Sequence, residues 1–221
     1  MTTHTYDSGL IGNCSYIAHI QKNTNISWLC LPRFDSDFVF GGMLDQERGG
    51  EFTILPESGD FQSTQRYLEN TNILETTLEN GSGSFRVTDF APRFNNFDRI
   101  FRPLMLIRKV EPIQGTPRIK ISCKPVYDRG KRQLTPSQGS NHIQYLGSDQ
   151  EIRLTTNAPL SYICEGKGFV LQRPIYLVLT YGRPLEAPIE STCERFLQAT
   201  TEYWRSWVKS TSISNFHQRL V

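Results

Sequence analysis

Proline and glycine punctuation is the feature that most narrows what this chain can fold into. Twelve prolines and sixteen glycines cut the sequence up to about residue 186 into short β-rich runs, and no helical period runs between them. Ile26-Ser-Trp-Leu-Cys-Leu31 stops at Pro32, which has no N–H to give a ladder. Both of its faces are mainly apolar, which predicts an interior strand. Glu51–Leu55 stops at Pro56. Asn72–Glu79 and Ser84–Asp89 flank Asn80-Gly81-Ser82-Gly83, whose residues tolerate positive φ and predict a hairpin. Further strands are expected at Leu104–Val110, Arg118–Lys124, His142–Leu146, Glu151–Thr155, Ser161–Cys164 and Ile175–Tyr181. Many short strands without intervening helices predict an all-β, large antiparallel sandwich rather than βαβ units.

The pattern changes once. After Pro188, Ser191-Thr-Cys-Glu194 has the form of a capping box opening a helix. Phe196, Leu197, Thr200, Tyr203, Trp204, Trp207 and Val208 then recur at helical spacing and form one apolar stripe. The sandwich is therefore expected to be followed by a C-terminal linker helix. Ser210–Asn215 reads as a polar linker, followed by six further residues.

Charge and composition narrow the partners. Twenty-four Lys and Arg against 22 Asp and Glu give a net charge of +2, so neither nucleic acid nor an acidic membrane surface is expected. No apolar run approaches the roughly 18 residues of a membrane span. The N-terminal residues have no basic and apolar segments of a secretory leader. Cys14, Cys30, Cys123, Cys164 and Cys193 are odd in number and widely spaced, which fits reduced thiols in a cytoplasmic protein.

Chemical motifs are few. There is no nucleophile elbow, P-loop, dinucleotide fingerprint or zinc-protease motif. His4, His19, His142 and His217 are scattered, so no metal and no cofactor are expected. One segment differs: the strand ending at Pro32 leads into Arg33, Phe34, Asp35 and Ser36. An aromatic ring, a guanidinium and a carboxylate beside Trp28 are the mixture a small polar ligand site requires. The same residues also suit a plain role, with Trp28 and Phe34 in the core and Arg33–Asp35 as a local ion pair.

The ordered segments Gly9–Cys14, Ile26–Ser36, Phe40, Leu44-Asp45, Gly49-Gly50, Gln65–Leu68, Thr71–Thr76, Val87–Pro92 and Tyr203–Trp207 resemble the opening of glycoside hydrolase family 15 proteins, the glucoamylase, glucodextranase and trehalase-like enzymes. The resemblance implies a trehalase-like N-terminal β-sandwich over residues 1–187. Residues 188–221 would be a linker helix and the start of an (α/α)₆ catalytic barrel. It also implies inverting hydrolysis of an α-glucosidic bond by two carboxyl groups, carried by the barrel. The sequence ends where that barrel would begin, so no catalytic residue is carried over, and the chain alone is expected to be inactive. Trp28, Arg33, Phe34 and Asp35 become candidates for the substrate rim or for bracing the barrel. Tyr203, Trp204 and Trp207 become candidates for interdomain packing. The partner implied is the barrel in cis, with an α-glucoside as the ligand. A free-standing carbohydrate-binding sandwich and a purely structural partner domain are the alternatives.

Overall fold

A computed structural model describes residues 8–210. The expectations for residues 1–7 and 211–221, including the linker, the start of a barrel, His4 and His217, lie outside the described residues. The elements are β1 (Ser8–Gly12), β2 (Ile17–Gln21), β3 (Ile26–Cys30), β4 (Phe38–Phe40), β5 (Glu51–Pro56), β6 (Gln62–Tyr67), β7 (Leu74–Asn80) and β8 (Gly83–Phe90). They continue with β9 (Phe94–Asn96), β10 (Arg99–Phe101), β11 (Met105–Gly115), β12 (Arg118–Lys124), β13 (Val126–Tyr127), β14 (Arg132–Gln133), β15 (Thr135–Gln138), β16 (His142–Leu146) and β17 (Ile152–Thr156). The last described elements are α1 (Leu160–Glu165), β18 (Phe169–Val170), β19 (Ile175–Tyr181) and α2 (Ile189–Ser210).

The described residues form an all-β, sandwich-like fold with antiparallel pairing throughout. One layer is an eight-stranded sheet in the order β15-β16-β17-β19-β11-β8-β7-β6. A four-stranded sheet, β1-β2-β3-β4, and a three-stranded sheet, β18-β12-β5, lie against it. β3 is an inner strand between β2 and β4, as its two apolar faces predict. The expected hairpin joins β7 to β8, with Asn80 paired to Gly83. The Asn80 side chain accepts the Ser82 N–H at 3.0 Å, so an Asx turn closes it.

Period-2 alternation explains why the centre of the large sheet is buried on both faces. On β19, Ile175, Leu177 and Leu179 enter the core between the layers, while Tyr176 and Val178 enter a second core. β11 divides in the same way, with Leu106 and Val110 on one side and Met105 and Ile107 on the other. The second core is roofed by α2, which contributes Cys193 and Phe196.

Two expectations are corrected. Ser161–Cys164 is not a strand but the body of α1. Its Ser-Tyr-Ile-Cys composition suits a strand, but Gly166 in the left-handed region (φ 63°) closes a short helix by donating to the Ile163 and Tyr162 carbonyls. The capping box at Ser191 is also displaced: α2 begins at Ile189, directly after Pro188, whose carbonyl accepts the Thr192 N–H at 3.2 Å. Ser191 therefore lies inside the first turn. Of the five thiols, all free, Cys30, Cys123 and Cys193 are buried, whereas Cys14 and Cys164 are exposed.

Candidate functional site

The loop leaving β3 folds on itself. The Arg33 N–H donates to Ser36 Oγ at 3.2 Å, and the Ser36 N–H returns a bond to the Arg33 carbonyl at 3.2 Å. This closes a tight turn in which Arg33 Nε and Asp35 Oδ1 meet at 3.0 Å, with a second contact from Nη2 to Oδ2 at 3.1 Å. Both side chains are largely in solvent, so the pair contributes little to stability. Phe34 is 53% exposed and belongs to neither core, contrary to the plain reading. Trp28 is half-buried on β3 opposite His19, with its ring 5.8 Å from that of Phe38.

A second segment meets this loop. Arg129 Nε reaches Asp37 Oδ1 at 3.2 Å. The Tyr127 hydroxyl donates to Asp149, and that bond raises the Tyr127 pKa. Together they enclose a hollow of about 320 Å³ lined by Asp35, Asp37, Phe38, Tyr127 and Tyr181. Of the four residues that sequence singled out here, Asp35 alone lines it; Trp28, Arg33 and Phe34 do not.

The carboxylates of this region are committed to structure. Asp45 Oδ1 accepts the N–H groups of Glu47 at 2.9 Å and Arg48 at 3.0 Å, and those bonds hold its carboxyl below the usual range. Asp35 and Asp37 each face an arginine. None of the three is in the buried apolar setting that raises a carboxyl for general-acid work.

The α2 junction gathers the other candidates. The Arg93 guanidinium carbon stands 5.0 Å from the Tyr203 ring centre and 6.0 Å from that of Trp204. Tyr203 and Trp204 meet edge to face at 5.3 Å, and Trp204 and Trp207 do so at 6.0 Å. Trp207 is left 45% exposed. Arg93 also donates through Nη1 to the Asn13 carbonyl at 2.7 Å and through its backbone N–H to Thr200 Oγ1 at 3.2 Å. Asn13 is fully buried, and its amide donates to the carbonyls of Pro92 and Pro103. Beneath this knot, Phe94, Phe101 and Phe196 pack with centroids 4.9 to 5.3 Å apart.

The phenylalanine cluster and the hollow share one wall residue. A groove of about 550 Å³ runs beside Phe196, Phe101, Arg102 and Leu185, and Tyr181 lines both this groove and the hollow at Asp35. Sequence reasoning missed Asn13, Arg93, Asp37, Tyr127, Arg129 and Tyr181 as members of the site. Arg93 meets Asn13 across 80 residues and Thr200 across 107, Tyr127 meets Asp149 across 22 and Arg129 meets Asp37 across 92, and no local spacing shows them. The segment Val87–Pro92, which carries part of the resemblance, stops one residue short of Arg93.

The family model described as trehalase-like, N-terminal matches residues 4–164. A trehalase of Thermoplasma volcanium is 30% identical over 220 residues, covering 96% of this chain and 35% of that protein. A trehalase of Thermoplasma acidophilum is 31% identical over 211 residues, covering 91% of this chain and 36% of that protein. A trehalase of Mycolicibacterium smegmatis is 26% identical over 235 residues, covering 91% and 34%. The chain spans about a third of the length of these curated relatives. No solved structure matches it.

Proposed function

The chain belongs to the trehalase-like N-terminal family, and on that premise we propose that it is the non-catalytic N-terminal domain of a family 15 glycoside hydrolase of glucoamylase or trehalase type. The observation that carries this reading is the coverage: nearly all of this chain matches only about a third of each trehalase. The remaining two thirds of such a protein would hold an (α/α)₆ barrel that performs the inverting hydrolysis of an α-glucoside.

The domain's part is to support that barrel and line the rim of its substrate site. Phe34 on the loop after β3 and Trp207 on α2 are large apolar side chains left 53% and 45% exposed. The barrel covers them, and the Arg33–Asp35 pair braces its loops at the same rim. The domain proper extends to about residue 187, and α2 leads from it toward the barrel. Five thiols without a disulfide favour the cytoplasm.

The test is to measure glucose release from trehalose, maltose and isomaltose by the purified chain, alone and joined to the barrel sequence of a trehalase relative. The expected result is no turnover alone and turnover in the joined protein, lowered when Phe34 and Trp207 are changed to serine. Turnover by the chain alone overturns the reading.

A further inference from the structure

A cavity of about 430 Å³ opens on the far side of Val126 from the Asp35 hollow, between β5 and β12 on one side and β16 and α1 on the other. That is within the usual range for small-molecule sites, roughly 300 to 1,000 Å³. The floor is apolar and rigid: Leu134, Ile143 and Tyr145 are buried, and the Tyr145 hydroxyl is fixed by a 2.9 Å bond to the Cys123 carbonyl. The lip is equally fixed. Gly50 (φ +72°) brings the start of β5 so close to β12 that a side-chain carbon there would stand 2.5 Å from the Lys124 carbonyl oxygen.

One wall is polar and only part-used. Glu51 Oε1 accepts from Ser122 Oγ at 2.7 Å and from Lys124 Nζ at 2.8 Å. Burial raises Glu51, but those two bonds outweigh it and hold the carboxyl below its ordinary range, so it is ionised at neutral pH. The second carboxylate oxygen and two ammonium protons of Lys124 remain for a visitor.

These features select a ligand. An anion would meet the carboxylates of Glu51 and Glu47, and a cation would meet Lys124. A wholly apolar molecule would strip water from the ion pair without replacing its hydrogen bonds. A neutral molecule with one apolar face and an edge of hydroxyls satisfies both walls. We propose that this cavity is a binding site for a small neutral polyhydroxylated molecule, a cyclic polyol or small saccharide, separate from any substrate site of a barrel.

Cys164 gives a direct readout, because its thiol is exposed and lines the cavity, while the exposed Cys14 lies elsewhere. Iodoacetamide alkylation of both thiols is followed by peptide mass spectrometry at mildly alkaline pH. Glucose, trehalose, maltose and myo-inositol are each added up to about 100 mM. At least one is expected to slow Cys164 about tenfold when present at ten times its dissociation constant, with Cys14 unchanged. Leu134→Trp fills the cavity and should remove the protection. Lys124→Met, at an exposed side chain that leaves the core intact, should weaken binding about tenfold. The proposal is overturned if no compound changes the ratio of the two rates, or if protection survives unchanged in Lys124→Met or in a folded Leu134→Trp protein. Neither result depends on the proposed role beside a barrel.

Discussion

Two arginine–aspartate pairs in this molecule use the same chemical groups in opposite settings. Arg33–Asp35 closes a surface turn, with its side chains 76% and 71% exposed. Arg108–Asp89 is wholly buried, at 2.7 Å. Residues 108 and 89 are direct partners across β11 and β8, on the face that enters the core between the layers. From there Arg108 donates to the Phe52 carbonyl on β5 at 2.7 Å and to the Thr24 carbonyl between β2 and β3 at 2.5 Å. Its guanidinium carbon also stands 4.6 Å from the Phe52 ring centre. One side chain thus ties the large sheet to both smaller ones. Burial pushes the Asp89 carboxyl up and Arg108 pulls it back. The surface pair is free to change partners, whereas the buried pair fixes how the layers meet.

The largest expected effect comes from breaking the buried pair. Asp89→Ala leaves a guanidinium without its counter-charge and should cost about 3 to 5 kcal/mol, much of the roughly 5 to 15 kcal/mol that holds a domain together. Urea denaturation followed by circular dichroism measures it; a loss under about 1 kcal/mol would put the buried pair on a level with the surface one.

Arg93→Ala tests the intermediate case, a half-buried arginine that joins α2 to the β1–β2 connection. Loss of two ring contacts and the bond to Asn13 should cost about 2 kcal/mol. It should also red-shift the emission of Trp204 and Trp207 before global unfolding. Coincident fluorescence and circular dichroism transitions would mean that α2 does not loosen separately.

A smaller effect is expected from pH. Glu194 on α2 accepts from Lys109 at 2.8 Å and from the Tyr176 hydroxyl at 2.6 Å. Burial raises the Glu194 carboxyl, but these bonds outweigh it and bring it below the ordinary 4.5. Its folded value is below its unfolded one, so its contribution is present above pH 4.5 and lost as the pH falls through the folded value. Tryptophan emission should therefore shift on acidification below about pH 4.5, and Glu194→Gln should flatten that step. A step of equal size in the variant would assign it to other carboxylates.

The smallest effect belongs to the exposed pair: Arg33→Ala should change stability by less than about 1 kcal/mol. A thermal-shift measurement with a larger loss would show that the turn carries more of the fold than its exposure implies.

Legibility in the sequence followed local pattern. Arg118–Lys124, His142–Leu146 and Ile175–Tyr181 were readable to the residue because alternation or an unbroken apolar run marks them. β6 was not, since Gln-Ser-Thr-Gln-Arg-Tyr has no apolar face and earns its place only by pairing with β7. The surface pair, two residues apart, was visible as a motif, and so was the tryptophan stripe of α2. Asp89 and Arg108 are 19 residues apart, and Arg93 meets Thr200 across 107. Only the register of the large sheet and the docking of α2 bring them together.

Central to this account is that the chain supplies a support and not the chemistry. Glucose release from trehalose by the purified 221-residue chain tests it most directly. The account expects none above buffer; sustained release that disappears with Asp35→Asn would contradict it.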